Sequence, residues 1–335
     1  MRRAASFSVV AGFVALVGLL PLALSNFRAY EFALVGVYFI AITGLNVLIG
    51  YTGLISLGHG AFMAVGGYVT AILAADHGLD PVWTIPIAGL VTGAIGLAFG
   101  VPALRLSGLY LALATFGVAV AAPAIFRKFS SLTGGAAGKI LPQPSAKFGL
   151  HLTPNDWLYY LTWTIALVLL GAAWLLLRGR VGRALRAVRD SEVAATASGV
   201  NLALYKTLAF GVSAFYPGVA GSLFAIAVTV VSSDTYPVTL SIFLVVGAVA
   251  AGLGSLRGLA LGALLVQFLP IDLTPKIVDA VNAVVRTDLN AKATGVPDVV
   301  FGAVLILVML LLPTGAAGVL GRLGGLATRL YTRPR

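Results

Sequence analysis

The chain has 335 residues, of which 59% are apolar and 10% charged, with a mean hydropathy of +1.02 and a net charge of +11. No water-soluble domain of that length carries so apolar a composition without aggregating, so a bilayer is its solvent. The absence of cysteine and the presence of only three histidines exclude disulfide frameworks, thiolate metal sites and most redox or zinc chemistry, so neither a metal nor a cofactor is expected.

A helix rises about 1.5 Å per residue, so roughly 18 to 20 apolar residues cross the hydrocarbon core. The first predicted span is 7–24, behind Arg2 and Arg3. Its end also fits a leader cleavage site, and a retained helix is the expectation. Further spans read as 32–49, 56–75, 83–101, 109–125, 157–177, 207–230, 239–254, 256–270 and 299–313. The predicted fold is therefore an all-α polytopic membrane protein of about ten helices, a single domain over 1–335. The spans 239–254 and 256–270 are short and glycine-rich, which suits tilted or partly re-entrant segments.

Placing the N-terminus inside puts fourteen Lys and Arg with two acids on one side, and eight Lys and Arg with nine acids on the other. That asymmetry predicts both termini in the cytoplasm, and it assigns the basic charge to orientation in a bilayer and not to nucleic acid. Long outer loops follow at 126–156 and 271–298. In the second, Ile277, Val278, Val281, Val284 and Val285 recur at helical spacing, predicting a short amphipathic surface helix.

All carboxylates fall in loops or at span ends on this map, so no intramembrane acid is placed to relay protons. The stretch 46–62 interrupts an apolar region with glycines and small hydrogen-bonding side chains. Asn46, Tyr51, Thr52, Gly53, Ser56, Gly58, His59 and Phe62 are its candidate translocation-path residues, since broken helix at membrane depth needs protein or a wet path to satisfy its backbone. A tight turn between two helices, with Ser56 capping the second, accounts for the same residues. Gly89, Gly93, Gly96 and Gly100, and likewise Gly258 and Gly262, have the spacing of close helix contacts.

The basic segment 178–206 carries Arg183, Arg186 and Arg189 at three-residue intervals, then Asp190, Glu192, Ala194 and Ala195, and a helix stop at Gly199. It suits a helix seated in a groove on a partner, or a positive loop that fixes topology. Residues 134–139, Gly-Gly-Ala-Ala-Gly-Lys, imitate a phosphate loop, but Thr133 and Ile140 break the pattern, so any ATP site belongs to a separate subunit.

Three segments together, 44–73, 182–225 and 252–265, resemble the permease subunits of branched-chain amino-acid ABC transporters, of the LivM type within the LivM/LivH family. The runs LTGGAAG and LLLPTGAAGVL are similar to that family as well. The resemblance implies that 178–206 is the cytoplasmic coupling loop, with Arg183, Arg186, Arg189, Asp190, Glu192, Ala194, Ala195 and Gly199 meeting the ATPase. It also implies a LivH-type second permease, two ABC ATPase subunits, a periplasmic solute-binding protein and a multi-pass location in the bacterial inner membrane. Ala136-Ala137, Tyr216-Pro217 and Arg257 depart from the family pattern, which bears on the solute more than on the fold. An importer permease without catalysis of its own is the leading expectation; the alternative is a self-sufficient secondary transporter or channel for a small polar solute.

Overall fold

The computed structural model describes residues 17–106, 108–143, 152–285, 296–311 and 315–318, with residues 12 and 15 ahead of them. Short polar side chains start the helices by accepting backbone N–H groups that have no helical partner. Ser25 opens α1 (Asn26–Thr52), which stops at Gly53 with φ +73°. After α2 (His59–His77), Asp80 accepts the N–H of Val82 and Pro81 takes the first position of α3 (Pro81–Ala103). α4 (Gly108–Lys128) and the single turn α5 (Ser130–Thr133) follow. Thr153 then caps α6 (Pro154–Arg178). Two short helices come next, α7 (Arg180–Asp190) and α8 (Glu192–Ala197), before Asn201 caps α9 (Leu202–Val228).

The chain closes with α10 (Val238–Ala251), α11 (Leu259–Phe268), a π turn (Leu269–Leu273), α12 (Thr274–Val285) and α13 (Val296–Leu311). The only strands among the described residues are a two-residue antiparallel pair, β1 (Lys139–Ile140) and β2 (Val230–Val231), in which Lys139 faces Val231.

Among the described residues six helical stretches are long and apolar enough to cross a membrane: α1, α3, α4, α6, α9 and Leu259–Ala280. The chain is thus an all-α, multi-pass membrane protein. The predicted ninth span and the loop behind it need correction. The helix does not end at 270 and resume as a separate surface helix; it continues through the π turn into α12, so residues 271–285 are not a free loop. Residues 286–295 lie outside the described set. So do residues 7–11, 13, 14 and 16 of the predicted first span, in which residues 17–19 are helical and Leu20–Ala23 forms one 3-10 turn.

α1 and α9 are the most buried spans and form the centre of the bundle. Lipid tails are as apolar as leucine, so contact there depends on close packing of small residues. The predicted glycine row of α3 does this against α9: a Cβ at Gly89 would strike Phe215 and Val219, at Gly96 Ala214, and at Gly100 Thr207. α2 meets α9 as closely, with Gly66 against the Gly218 backbone and Gly221 against Met63. Polar side chains inside the bundle bond one another: the Thr70 hydroxyl donates to Ser222, and Thr84 donates to Thr70 at 3.1 Å.

The ion pairs sort by end. Arg28–Asp272, Arg127–Asp234 and Lys139–Asp76 join groups that the charge map puts on its acid-rich side, and Lys206–Glu192 joins groups on its arginine-rich side.

Candidate functional site

At the arginine-rich end, α6 turns into α7 at Gly179, and Gly182 in the first turn of α7 packs so closely that a Cβ there would overlap the Leu177 carbonyl. α7 is amphipathic. Ala184, Leu185 and Val188 are buried against the bundle, and Arg183, Arg186, Arg189 and Asp190 are exposed. Arg186 donates to the Leu177 carbonyl at 3.4 Å, and its guanidinium carbon lies 6.0 Å from the centre of the Tyr51 ring. Arg189 donates from Nη1 to the Gly50 carbonyl at 2.5 Å. Gly50 stands in the last turn of α1, whose carbonyls have no helical N–H to accept, so the guanidinium satisfies an orphan acceptor and places positive charge at the negative end of the helix.

The same turn of α1 is tied to the segment between α10 and α11. Asn46 Nδ2 donates to the Ser255 carbonyl at 2.7 Å, and Asn46 Oδ1 accepts the Gly254 N–H at 2.8 Å. Residues predicted for the path (Asn46, Tyr51) and for coupling (Arg186, Arg189) therefore meet in one junction of α1, α7 and the 252–257 turn.

α8 projects beside this junction. The expected single helix over 183–199 is two helices, because Ser191 is extended (φ −164°) and its hydroxyl caps the second by accepting the Ala194 N–H at 3.2 Å. Gly199, at φ +80°, ends α8, and the Val200 N–H returns to the Ala195 carbonyl at 3.0 Å. Nothing lies within 4 Å of a Cβ built on Gly199, so its requirement is one of backbone conformation alone. Ala195 is buried, whereas Glu192 and Ala194 are exposed and Val193 is 82% exposed. Glu192 pairs with Lys206 at 2.7 Å, fixing α8 to the first turns of α9. The exposure of Val193 is a contact feature that the charge pattern does not reveal.

The other predicted path residues lie deeper. Asn46, Tyr51 and Thr52 belong to the continuous helix α1, so the break predicted across 46–62 is confined to residues 53–58. Thr52 Oγ1 accepts the Leu54 N–H at 3.3 Å, and Thr115 Oγ1 accepts that of Leu57 at 2.9 Å. Gly58, not Ser56, occupies the cap position of α2; Ser56 Oγ accepts the Gly58 N–H and lies 3.1 Å from His59 Nδ1. Phe62 stacks edge-on to His59, with ring centres 5.7 Å apart. All these residues except Gly53 are buried, packed into the protein interior. His59 Nε2 meets no hydrogen-bond partner among the described residues.

A second place of interest was not singled out from the sequence. After α9 the chain leaves helical geometry at Thr229 (φ +59°), pairs β2 with β1, and dips back into the bundle. Tyr236 donates to the Gly221 carbonyl at 2.8 Å, and its hydroxyl fills the space where a side chain on Gly67 would be. α10 begins only at Val238, and Ser241 Oγ accepts the Gly60 N–H of α2 at 3.0 Å. Non-helical backbone beside the middle of a span is tolerated where protein or a wet cavity satisfies it.

This segment, α2 and α4 enclose a narrow cleft with no room for a water molecule, lined by Tyr68, Ser233, Ser241 and several alanines. The Tyr68 hydroxyl has no hydrogen-bond partner among the described residues, a loss of about 1–3 kcal/mol for a buried polar group. The legible trace is the polar run 232–237, Ser-Ser-Asp-Thr-Tyr-Pro, between two apolar spans. Among the described residues no three His, Asp or Glu side chains gather where a metal ion could sit.

Comparison with known proteins agrees with this architecture. The chain is 35% identical over 253 residues to the high-affinity branched-chain amino acid transport system permease protein LivM of Escherichia coli K12, covering 68% of this chain and 59% of that protein. The LivM protein of Salmonella typhimurium is 34% identical over the same shares. The match thus spans 59% of the length of these relatives. The E. coli K12 permease protein LivH is 26% identical over 305 residues, covering 84% of this chain and 91% of LivH. No solved structure matches the chain. The profile of one family, described as the permease component of the branched-chain amino acid transport system, covers residues 28–309, and the chain belongs to that family.

Proposed function

We propose that the chain is one permease subunit of an ATP-driven importer for branched-chain amino acids, lying in the bacterial inner membrane with both termini in the cytoplasm. In this reading the whole chain is one transmembrane domain of about ten spans, with the span expected at 7–24 and the shorter helices α2, α10 and α13 added to the six long ones. It pairs with a LivH-type permease and receives solute from a periplasmic binding protein. It hydrolyses no ATP itself; two ATPase subunits dock on α7 and α8.

The observation that carries this reading is the construction of the arginine-rich end. α8 presents Val193 and Glu192 outward on a helix capped at both ends, and α7 behind it is bonded through Arg189 to the last turn of the central helix α1. A push on α8 therefore reaches the middle of the bundle through packed helices and one charged hydrogen bond, and packed interfaces shift between discrete arrangements instead of deforming continuously. Asn46, Tyr51, Thr52, Gly53, Ser56, Gly58, His59 and Phe62, around the break between α1 and α2, belong in this reading to the wall of the translocation path.

The test is co-purification of a tagged copy expressed with its neighbouring genes, then leucine-dependent ATP hydrolysis in liposomes containing the binding protein. Association with ATPase subunits and hydrolysis stimulated by leucine are expected. A chain that purifies alone and moves solute under an ion gradient overturns the reading.

A further inference from the structure

We infer that the closed cleft between α2, α4 and residues 230–238 is the transit site for the solute, and that it takes a small zwitterionic amino acid with an aliphatic side chain. The inference rests on the importer reading above and adds to it the location in this chain where the amino acid passes.

Four observations converge. First, Tyr68 is 3% exposed and its hydroxyl, which lines the cleft, has no partner among the described residues, while the cleft is too narrow for water to supply one. A donor kept in this way gains a hydrogen bond only in a state where something enters. Second, the wall opposite α2 includes the non-helical segment that carries Tyr236, whose ring reaches Gly67 inside α2, an arrangement confined in membranes to packed protein or a polar path.

Third, the mouth carries both signs of charge. Arg127 bonds Asp234 at 2.7 Å and Ser233, which lines the cleft, at 2.9 Å. A guanidinium and a carboxylate held side by side match the carboxylate and ammonium of an α-amino acid, and Ala61, Ala64, Ala119 and Ala122 behind them match an aliphatic side chain. Fourth, α4 is weakly anchored there. It rests on α2 through a small cluster of Ala61, Ala119 and Ala122, with Leu111 reaching the main core and Phe126 stacked on Tyr68, and most of its surface is exposed. Alanine contacts bury little apolar area, so α4 separates from α2 at lower cost than α3 separates from α9. α4 is the moving wall.

The chain contains no cysteine, so single cysteines report on this site directly. In the assembled importer in liposomes, Ala64→Cys and Ala122→Cys are expected to resist a membrane-impermeant methanethiosulfonate at rest, to react when the ATPases are trapped with ATP and vanadate, and to react more slowly in excess leucine. Tyr68→Phe, which removes only the hydroxyl, is expected to lower leucine uptake about tenfold, the value of one hydrogen bond, with ATPase association unchanged. Labelling that is the same in both states, or full uptake by Tyr68→Phe, overturns the transit site. If the ATPases bind and leucine is transported while the cysteines never react, the cleft falls and the importer stands. If no ATPase binds, the importer reading falls first.

Discussion

Arg189 on α7 donates to the carbonyl of Gly50 in the last turn of α1, 2.5 Å away, and its Nη1 also lies beside Gly254. One guanidinium thus joins three segments that are far apart in sequence. Asn46 completes the junction from within α1 by gripping the backbone at Gly254 and Ser255. The arrangement makes α7 an arm of the central helix and not a loop hanging from α6.

Arg189→Ala should uncouple ATP hydrolysis from transport. The hydrogen bond is charge-assisted and worth about 1.5–3 kcal/mol, and its loss leaves the Gly50 carbonyl unpaired. ATPase subunits should still bind through α8 and the remaining arginines of α7, while stimulation of hydrolysis by leucine-loaded binding protein falls by at least about tenfold. Wild-type stimulation would remove Arg189 from the coupling route.

α8 depends on its caps. Ser191→Ala should weaken it by about 1 kcal/mol and Ser191→Asp should restore it. At Gly199 the space is open but φ is +80°, so Gly199→Asn should retain more ATPase association than Gly199→Val. Equal pull-down by Asn and Val variants would mean that bulk, not backbone conformation, is what matters there.

Lys206 and Glu192 should show positive coupling. The Lys206 side chain is 5% exposed and that of Glu192 46%, so the lysine end is dehydrated and the acid end screened. A double-mutant cycle of Glu192→Gln and Lys206→Met, read by thermal unfolding in detergent, should give an interaction of about 1 kcal/mol, the upper end for exposed pairs. A value of zero would show that solvent screens the pair completely.

The bundle contacts predict opposite outcomes for two glycines. Gly66→Ala drives a methyl into the Gly218 backbone and should lower stability by about 1–3 kcal/mol. Gly117→Ala meets open space on α4 and should be neutral or slightly stabilising. Matching melting temperatures for the two variants would refute the α2–α9 contact.

The long spans were legible because an apolar run of membrane length has few alternatives, and the glycine row of α3 because its spacing selects one helix face. The two-helix form of 178–199 was not, since a lone Ser191 inside a helix-competent run acts as a cap only when its backbone extends. The continuation from α11 into α12 was hidden in a similar way: Pro270 and Asp272 look like the end of a span, yet a π turn carries the helix through them. Tyr68 was missed because a tyrosine in an apolar helix looks like packing until its hydroxyl is found without a partner. The gathering of Asn46, Gly254 and Arg189 depends on contacts between distant segments, which periodicity within one segment cannot encode.

The π turn at Leu269–Leu273 also sets an angular phase. An extra residue in one turn advances everything behind it by roughly 100° about the helix axis. Asp272, carried on that turn, meets Arg28 of α1 at 3.0 Å. One inserted residue thus brings Leu265 of α11 and Ile277 of α12, twelve positions apart, onto the same apolar cluster with Val246 and Leu269. Closing the turn to ordinary α geometry with all its residues kept would rephase α12 as a whole, without changing any of its side chains.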